Sequence, residues 1–184
     1  MSSLEVVDLF RRLRGKRTVF IGTGNPYRGD DGAGLLLVEL LAEKIKAEEF
    51  HYLLVEENPE NFAAAIAGLR PEAVVLVDAA RFGGRAGEIR LIEEGELDSF
   101  RISTHTYSPG IFLAYLRKAL GCRVYLVGIQ GEDFEIDLER KRGVSRRVEE
   151  ALHELVEALG REWEGEGRGA AETRTPPRET RTGE

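Results

Sequence analysis

Residues 17–46 read RTVFIGTGNPYRGDDGAGLLLVELLAEKIK. The short apolar run at 17–21 ends in glycines, which predicts a buried strand. The segment at 31–46 has a helical pattern and is apolar on almost every side, so we expect a helix that packs against a sheet. A strand, a glycine-rich turn and a buried helix in this order are typical of a parallel α/β fold.

The rest of the chain continues this alternation. Further strands are predicted at 50–55, 73–77, 88–92 and 123–129, the third of these as an edge strand. Helices are predicted for the amphipathic N-terminal segment, 59–69, 110–120 and a last apolar stripe at 144–159 that Gly160 closes. The order α-β-α-β-α-β-β-α-β-α implies a single three-layer α/β domain, in which helices cover both faces of a mostly parallel sheet with one antiparallel edge.

Composition limits both the domain organisation and the compartment. The 184-residue chain has room for one domain, which we place at 1–160. The charged segment at 161–184 is rich in Gly, Thr and Pro, and we expect a disordered tail there. The net charge of −7 argues against nucleic-acid binding.

Neither a run of 18 apolar residues nor a secretory signal is present, so we expect no membrane insertion. The single cysteine, Cys122, excludes an internal disulfide and favours the reducing cytoplasm.

Three segments bring polar residues to the carboxyl ends of the predicted strands, where ligands bind in open parallel sheets. They are the loop at 22–34 with Asp30 and Asp31, Asp78 directly after AVVLV, and His105 in the following loop. Each residue has a simpler interpretation as a helix cap, a turn residue or an incidental surface group. One aspartate of the pair could also cap the helix while its neighbour points into the cleft.

The glycine-rich loop does not fit a nucleotide site. A GxGxxG fingerprint needs glycine at position 27, where Tyr27 stands, and the two adjacent carboxylates would repel a phosphate. The GxSxG elbow of serine hydrolases and the HExxH helix of zinc peptidases are absent as well. If one histidine and two carboxylates converge in the cleft, they form a metal site with nitrogen and oxygen donors, which suits nickel, copper, iron or zinc.

The loop GTGNPYRGDDGAGLLL resembles the signature of the hydrogenase maturation endopeptidases, G-x-G-N followed by D-[DE]-G-x-G. The resemblance continues through LRPEAVVLVDAARFGGRAGEIRLI, ISTHTYSPGIFLAYL and YLVGIQGEDFE, and it covers residues 17–160. It implies a twisted, mostly parallel five-stranded sheet flanked by helices. It also implies an aspartic-type endopeptidase that removes a C-terminal extension from the precursor of the large subunit of a [NiFe] hydrogenase.

The resemblance assigns roles to five residues. Asp31, Asp78 and His105 match the metal ligands of the family, and Asp31 and Asp78 are the expected catalytic carboxylates. Asn25 and Asp30 are expected to contact the substrate. The metal is nickel carried by the precursor, although other divalent metals can occupy such a site. One carboxylate could act as a base toward water, or the metal could only position the substrate.

Two other functions are compatible with parts of the sequence. A nickel-binding checkpoint protein or chaperone would use the same three ligands without cutting the precursor, and a nucleotide-binding protein would use the glycine-rich loop. The chain also departs from the family at Glu56-Glu57-Asn58, where many relatives carry a glycine pair. We expect this departure to alter the shape of the loop, because glycine reaches backbone conformations that glutamate tolerates poorly.

Overall fold

The computed structural model describes residues 2–56, 58–92, 101–102, 109–136, 138 and 143–172. The helices are α1 (Ser2–Leu13), α2 (Ala33–Lys44), α3 (Ala63–Gly68), α4 (Pro109–Leu120) and α5 (Arg146–Glu172). The strands are β1 (Thr18–Thr23), β2 (Phe50–Val55), β3 (Ala73–Arg81), β4 (Ile89–Ile92), β5 (Arg101–Ile102) and β6 (Arg123–Gln130). Single 3₁₀ turns, Gly29–Gly32 and Pro59–Phe62, lead into α2 and α3.

All six of these strands belong to one sheet, in which five lie in the order β2-β1-β3-β6-β4 and β5 lies off this path. The first four run parallel, and β4 pairs antiparallel with β6 at the edge. The predicted five-stranded, mostly parallel sheet with one antiparallel edge is therefore confirmed. The sequence did not indicate β5, which pairs antiparallel with the end of β3.

Helices cover both faces of the sheet. On one face, the side chains of α1, α2 and α5 pack together with the alternate residues Val75 and Val77 of β3. On the other face, α3 and α4 pack against Val74 and Leu76 of the same strand. Because both faces are buried, β3 is apolar at successive positions, which is why AVVLV could be recognised as a central strand.

The last helix is longer than the sequence predicted. Gly160 was expected to close it, but α5 continues to Glu172. The domain boundary at 160 and the disordered tail at 161–184 stay predictions. Trp163 explains the continuation, because its ring lies 4.9 Å from the ring of Phe50 and 4.3 Å from the guanidinium carbon of Arg14. Of the predicted tail, residues 173–184 lie outside the described part of the chain.

The other predicted elements lie close to the observed ones. β2 has the predicted bounds, whereas β3 extends four residues beyond the predicted end at Val77. Cys122 is buried, as expected of a core residue. Within the described ranges, none of the five helices combines the length and the apolar character that crossing a membrane requires.

Candidate active site

The candidate site lies where the chain changes direction across the sheet. From β1 the connection through α2 leads outward to β2, whereas β3 lies on the opposite side of β1. Such a switch point leaves a crevice beyond the carboxyl ends of the two central strands. Asp31 follows β1 and Asp78 belongs to β3, so both predicted carboxylates come from segments that border this crevice.

Glycines allow these segments to approach closely. A Cβ atom at Gly34 would collide with the carbonyl oxygens of Thr23 and Val77. Gly24 has a φ of +136°, and a Cβ there would collide with the carbonyl oxygen of Asp31. The Thr23 hydroxyl donates a 3.2 Å hydrogen bond to the Val77 carbonyl. The start of α2 therefore packs closely against the ends of β1 and β3. Its contact on β3 is Val77, the residue before Asp78.

The two oxygens of the Asp31 carboxylate have different surroundings. The residue is 1% exposed, and its Oδ2 accepts a 2.9 Å hydrogen bond from the backbone N–H of Asn25. Its Oδ1 is buried and accepts no hydrogen bond from any residue that the structure describes. Leaving a buried carboxylate oxygen without a donor is costly, and such an atom suits the binding of a cation or a ligand.

Asp78 lies within β3 rather than at its end. The pairing of β3 with β1 stops at Val77, and Asp78 pairs with Gly128 of β6. Its side chain is 2% exposed, and its Oδ1 accepts a 2.9 Å hydrogen bond from the N–H of Ala79. The loss of the β1 neighbour at this point leaves Asp78 at the border of the crevice although the strand continues.

The third predicted ligand, His105, lies outside the described residues. Within the described ranges, no group of three His, Cys, Asp or Glu side chains is placed to hold a metal ion. The carboxylates of Asp31 and Asp78 can each supply an oxygen ligand to a metal ion. A metal site at this place would need an additional ligand from another part of the chain. The ligand set of Asp31, Asp78 and His105 stays a prediction.

Asp30 and Asp31 have different environments. Asp30 is completely buried, and its carboxylate accepts hydrogen bonds from the N–H groups of Glu132 and Asp133 and from the N–H and hydroxyl of Ser145. It does not cap the turn in which it lies. These donors hold the carboxylate of Asp30 inside the protein, and the substrate contact that the sequence predicted for Asp30 stays a prediction.

The predicted substrate contact of Asn25 remains a prediction. Asn25 is half-buried, and its Oδ1 accepts a 2.9 Å hydrogen bond from the N–H of Tyr27 while its own N–H holds Asp31. Asn58, in the segment that departs from the family pattern, has a left-handed backbone with φ of 53° and ψ of 62°. Asparagine tolerates this conformation better than most residues, so it can stand where a glycine would be expected.

Ser145 is the residue of this region that the sequence analysis missed. It immediately precedes α5, and a serine at such a position is a recognisable helix-start signal. No local signal names its partner, because 115 positions separate Ser145 from Asp30 in the sequence.

Comparison with known proteins gives the class to which this fold belongs. A family model described as hydrogenase maturation protease, HycI, matches residues 36–162. The hydrogenase 3 maturation protease of Escherichia coli K12 is 31% identical over 152 residues, which are 81% of this chain and 92% of that protein.

Solved structures agree with the sequence comparison. The crystal structure of a [NiFe] hydrogenase maturation protease HycI from Thermococcus kodakarensis KOD1 is 30% identical, with a TM-score of 0.72 over 85% of this chain and 99% of that one. The solution structure of the endopeptidase HycI from Escherichia coli is 29% identical, with a TM-score of 0.65 over 80% and 91% of the two chains.

The fold is thus that of a maturation protease, a class of hydrolases that act on peptide bonds. The chain belongs to the hydrogenase maturation protease family.

Proposed function

We propose that the protein is an endopeptidase that removes the C-terminal extension from the large-subunit precursor of a [NiFe] hydrogenase. The precursor is cut after nickel has been inserted, and the reaction takes place in the cytoplasm. The family membership supports the peptidase activity. The dependence on nickel is what the family resemblance implies, and the donor types of the candidate site are compatible with it.

The observation that carries this proposal is the carboxylate of Asp31. One oxygen is held by the N–H of Asn25, and the other is buried without a donor among the described residues. Carboxylate oxygens bind divalent transition metals together with imidazole nitrogen. Nickel held by the precursor would complete the environment of this oxygen, with Asp78 and His105 as the other ligands.

The two carboxylates then have a second use in the reaction. Binding of the precursor's nickel would bring its scissile bond close to Asp31 and Asp78. One of these carboxylates would take a proton from water, so that the water oxygen attacks the scissile carbonyl carbon. The nickel ion belongs to the substrate in this scheme, and a precursor without it would bind poorly and remain uncut.

Purified protein mixed with nickel-loaded and nickel-free precursor tests this proposal, with the mass of the precursor's C-terminus as the readout. We expect loss of a C-terminal peptide from the loaded precursor alone. The variants Asp31→Asn, Asp78→Asn and His105→Ala should abolish that loss. Two surface substitutions serve as matched controls, His153→Ala on α5 and Asp8→Asn on α1, and both should cleave normally.

Three outcomes would contradict the proposal in different ways. Equal cleavage of loaded and nickel-free precursor would refute nickel gating but not the peptidase activity. Binding of the loaded precursor without any change in mass would instead indicate a checkpoint protein. Normal cleavage by His105→Ala would remove that residue from the ligand set.

A further inference from the structure

Asp30 joins three parts of the chain next to the candidate site. Its Oδ1 accepts a 2.6 Å hydrogen bond from the N–H of Ser145. Its Oδ2 accepts hydrogen bonds from the Ser145 hydroxyl at 3.0 Å, from the N–H of Glu132 at 2.8 Å and from the N–H of Asp133 at 3.0 Å. The backbone N–H of Asp30 donates to the Asp133 carbonyl at 2.7 Å. One buried side chain thereby ties the β1–α2 loop to the β6–α5 loop and to the start of α5.

We propose that Asp30 is a positioning residue that sets the location and direction of the Asp31 carboxylate. The inference rests on the proposed function, since it assigns Asp31 the role of reacting or ligating group. In this role Asp30 contacts neither metal nor substrate. It acts through the backbone that it shares with Asp31.

The backbone of Asp31 is held from two sides. On one side, Gly24 leaves no room for a side chain against the Asp31 carbonyl oxygen. On the other side, Gly29 has a φ of +53° and lies against the Asp133 carbonyl, next to the hydrogen bonds of Asp30. Between these contacts, the N–H of Asp31 donates to the Arg28 carbonyl at 3.1 Å. Removing the hydrogen bonds of Asp30 would release one side of this arrangement.

The side chain of Asp31 has little other support. Among the described residues, its carboxylate has a single hydrogen-bond donor, the N–H of Asn25 on the far side of the loop. A shift of the Asp31 backbone would therefore change both the direction in which Oδ1 points and the length of the hydrogen bond from Asn25. Displacements of about 1 Å in a catalytic group can lower a rate roughly a hundredfold.

The chemistry of the four donors explains why a carboxylate stands at position 30. Two carboxylate oxygens can accept all four hydrogen bonds, because an ionised carboxyl group has only acceptors. Asparagine has one acceptor oxygen, and its NH₂ group would face donors. Asp30→Asn is therefore expected to loosen the loop with almost no change in side-chain volume. Ser145→Ala removes the hydroxyl alone and keeps the backbone donor, so it should act in the same direction but more weakly.

The experiment compares Asp30→Asn and Ser145→Ala with Glu88→Gln. Glu88 is a suitable control because its half-buried carboxylate accepts hydrogen bonds from the Arg85 N–H and the Arg90 guanidinium in the β3–β4 turn and, among the described residues, none from the loop that holds Asp31. For each variant we would measure amide exchange of Asn25 against that of the central strands. We would also measure the affinity for loaded precursor and the single-turnover cleavage rate at saturating enzyme.

For Asp30→Asn we expect faster exchange at Asn25 with unchanged protection of β1 and β3. The cleavage rate constant should fall by roughly ten- to a hundredfold while the affinity for the precursor changes by less than about threefold. Ser145→Ala should give the same pattern with a smaller loss, and Glu88→Gln should match the wild type. This split between rate constant and affinity would not follow from partial unfolding, which lowers the amount of active protein.

A folded Asp30→Asn variant with a normal rate constant would overturn the proposal, as would a loss explained entirely by the unfolded fraction. If Asp30→Asn does not fold, a normal rate and normal Asn25 exchange in Ser145→Ala would overturn it instead. Absence of cleavage by the wild-type protein would refute the proposed function. The exchange measurement at Asn25 would still test the positioning role in that case.

Discussion

The backbone N–H of Asn25 donates a 2.9 Å hydrogen bond to Oδ2 of Asp31, across the loop that joins β1 to α2. The loop thereby supports one oxygen of a carboxylate that is 1% exposed and leaves the other oxygen without a described donor. A folded protein gains no stability from such an atom, because burial without a partner carries a desolvation cost. This local cost is in keeping with a group reserved for a ligand.

Replacing Asp31 by asparagine tests this interpretation. We expect Asp31→Asn to lose nickel binding and at least about 99% of the cleavage rate, because an NH₂ group cannot replace a ligating oxygen. The free energy of unfolding should not fall by more than about 1 kcal/mol, since a buried carboxylate oxygen without a described donor is removed. Isothermal titration with nickel and urea unfolding measure the two effects. A large loss of stability would show that Asp31 is instead structural.

A methyl group at Gly34 should separate the elements that form the crevice. Gly34→Ala places a Cβ against the carbonyl oxygens of Thr23 and Val77, and we expect a loss of about 3 kcal/mol in the free energy of unfolding. Gly68→Ala is the matched control, because nothing lies within 4 Å of a Cβ at that helical position. The control should be neutral or should gain about 0.5 kcal/mol. Equal stability of the two variants in urea unfolding would contradict the close packing.

The extension of α5 beyond Gly160 predicts that Trp163 contributes to stability. Trp163→Ala removes the contacts with Phe50 and Arg14, and we expect a loss of about 2 kcal/mol because the indole is half-buried. A chain that ends at residue 160 should lose at least as much in thermal or urea unfolding. If that truncated chain were as stable as the full protein, the result would contradict a stabilising role of Trp163 and support the domain boundary predicted at residue 160.

The single cysteine gives a prediction about pH. Burial raises the pKa of the Cys122 thiol above its ordinary value of 9.0. The unfolded chain therefore loses this proton at lower pH than the folded protein does. Folding stability should fall as the pH rises above about 9, where the unfolded thiol ionises first.

The difference in unfolding free energy between wild type and Cys122→Ala, measured from pH 7 to 10, isolates this contribution from other titrating groups. We expect the difference to shrink toward high pH. Slow labelling of the native thiol by a disulfide reagent provides an independent check. Rapid labelling at pH 8, or a difference that stays constant, would contradict the expected effect of burial.

The elements that the sequence predicted well are those with a purely local signal. A mostly apolar run bounded by polar residues was sufficient for β2, and apolar runs located the centres of β1, β3 and β6. The end of β3 was missed because Asp78 looked like a boundary in the sequence. It remains in the strand because β6 continues to pair with it through Gly128, a contact between distant segments.

The site was predicted in part for the same reason. The sequence brought Asp31 and Asp78 to the carboxyl edge of the sheet, since the topology of parallel strands requires it. It could not separate the roles of Asp30 and Asp31, because the donors that hold Asp30 lie more than 100 residues later in the chain. The end of α5 was predicted wrongly for a related reason. Glycine often marks the end of a helix, but here the packing of Trp163 on Phe50 continues the helix beyond Gly160.

The long-range hydrogen bonds of Asp30 have a consequence for the order of events during synthesis. The chain is made from its N-terminus, so β1 and the Asp31 loop emerge well before Ser145, which is 115 positions further on. A nascent chain can pair its early strands, but the Asp30 carboxylate has none of these donors until Glu132 and Asp133, and finally Ser145, have been made. We therefore expect the early strands to pair before the candidate-site loop takes its final form.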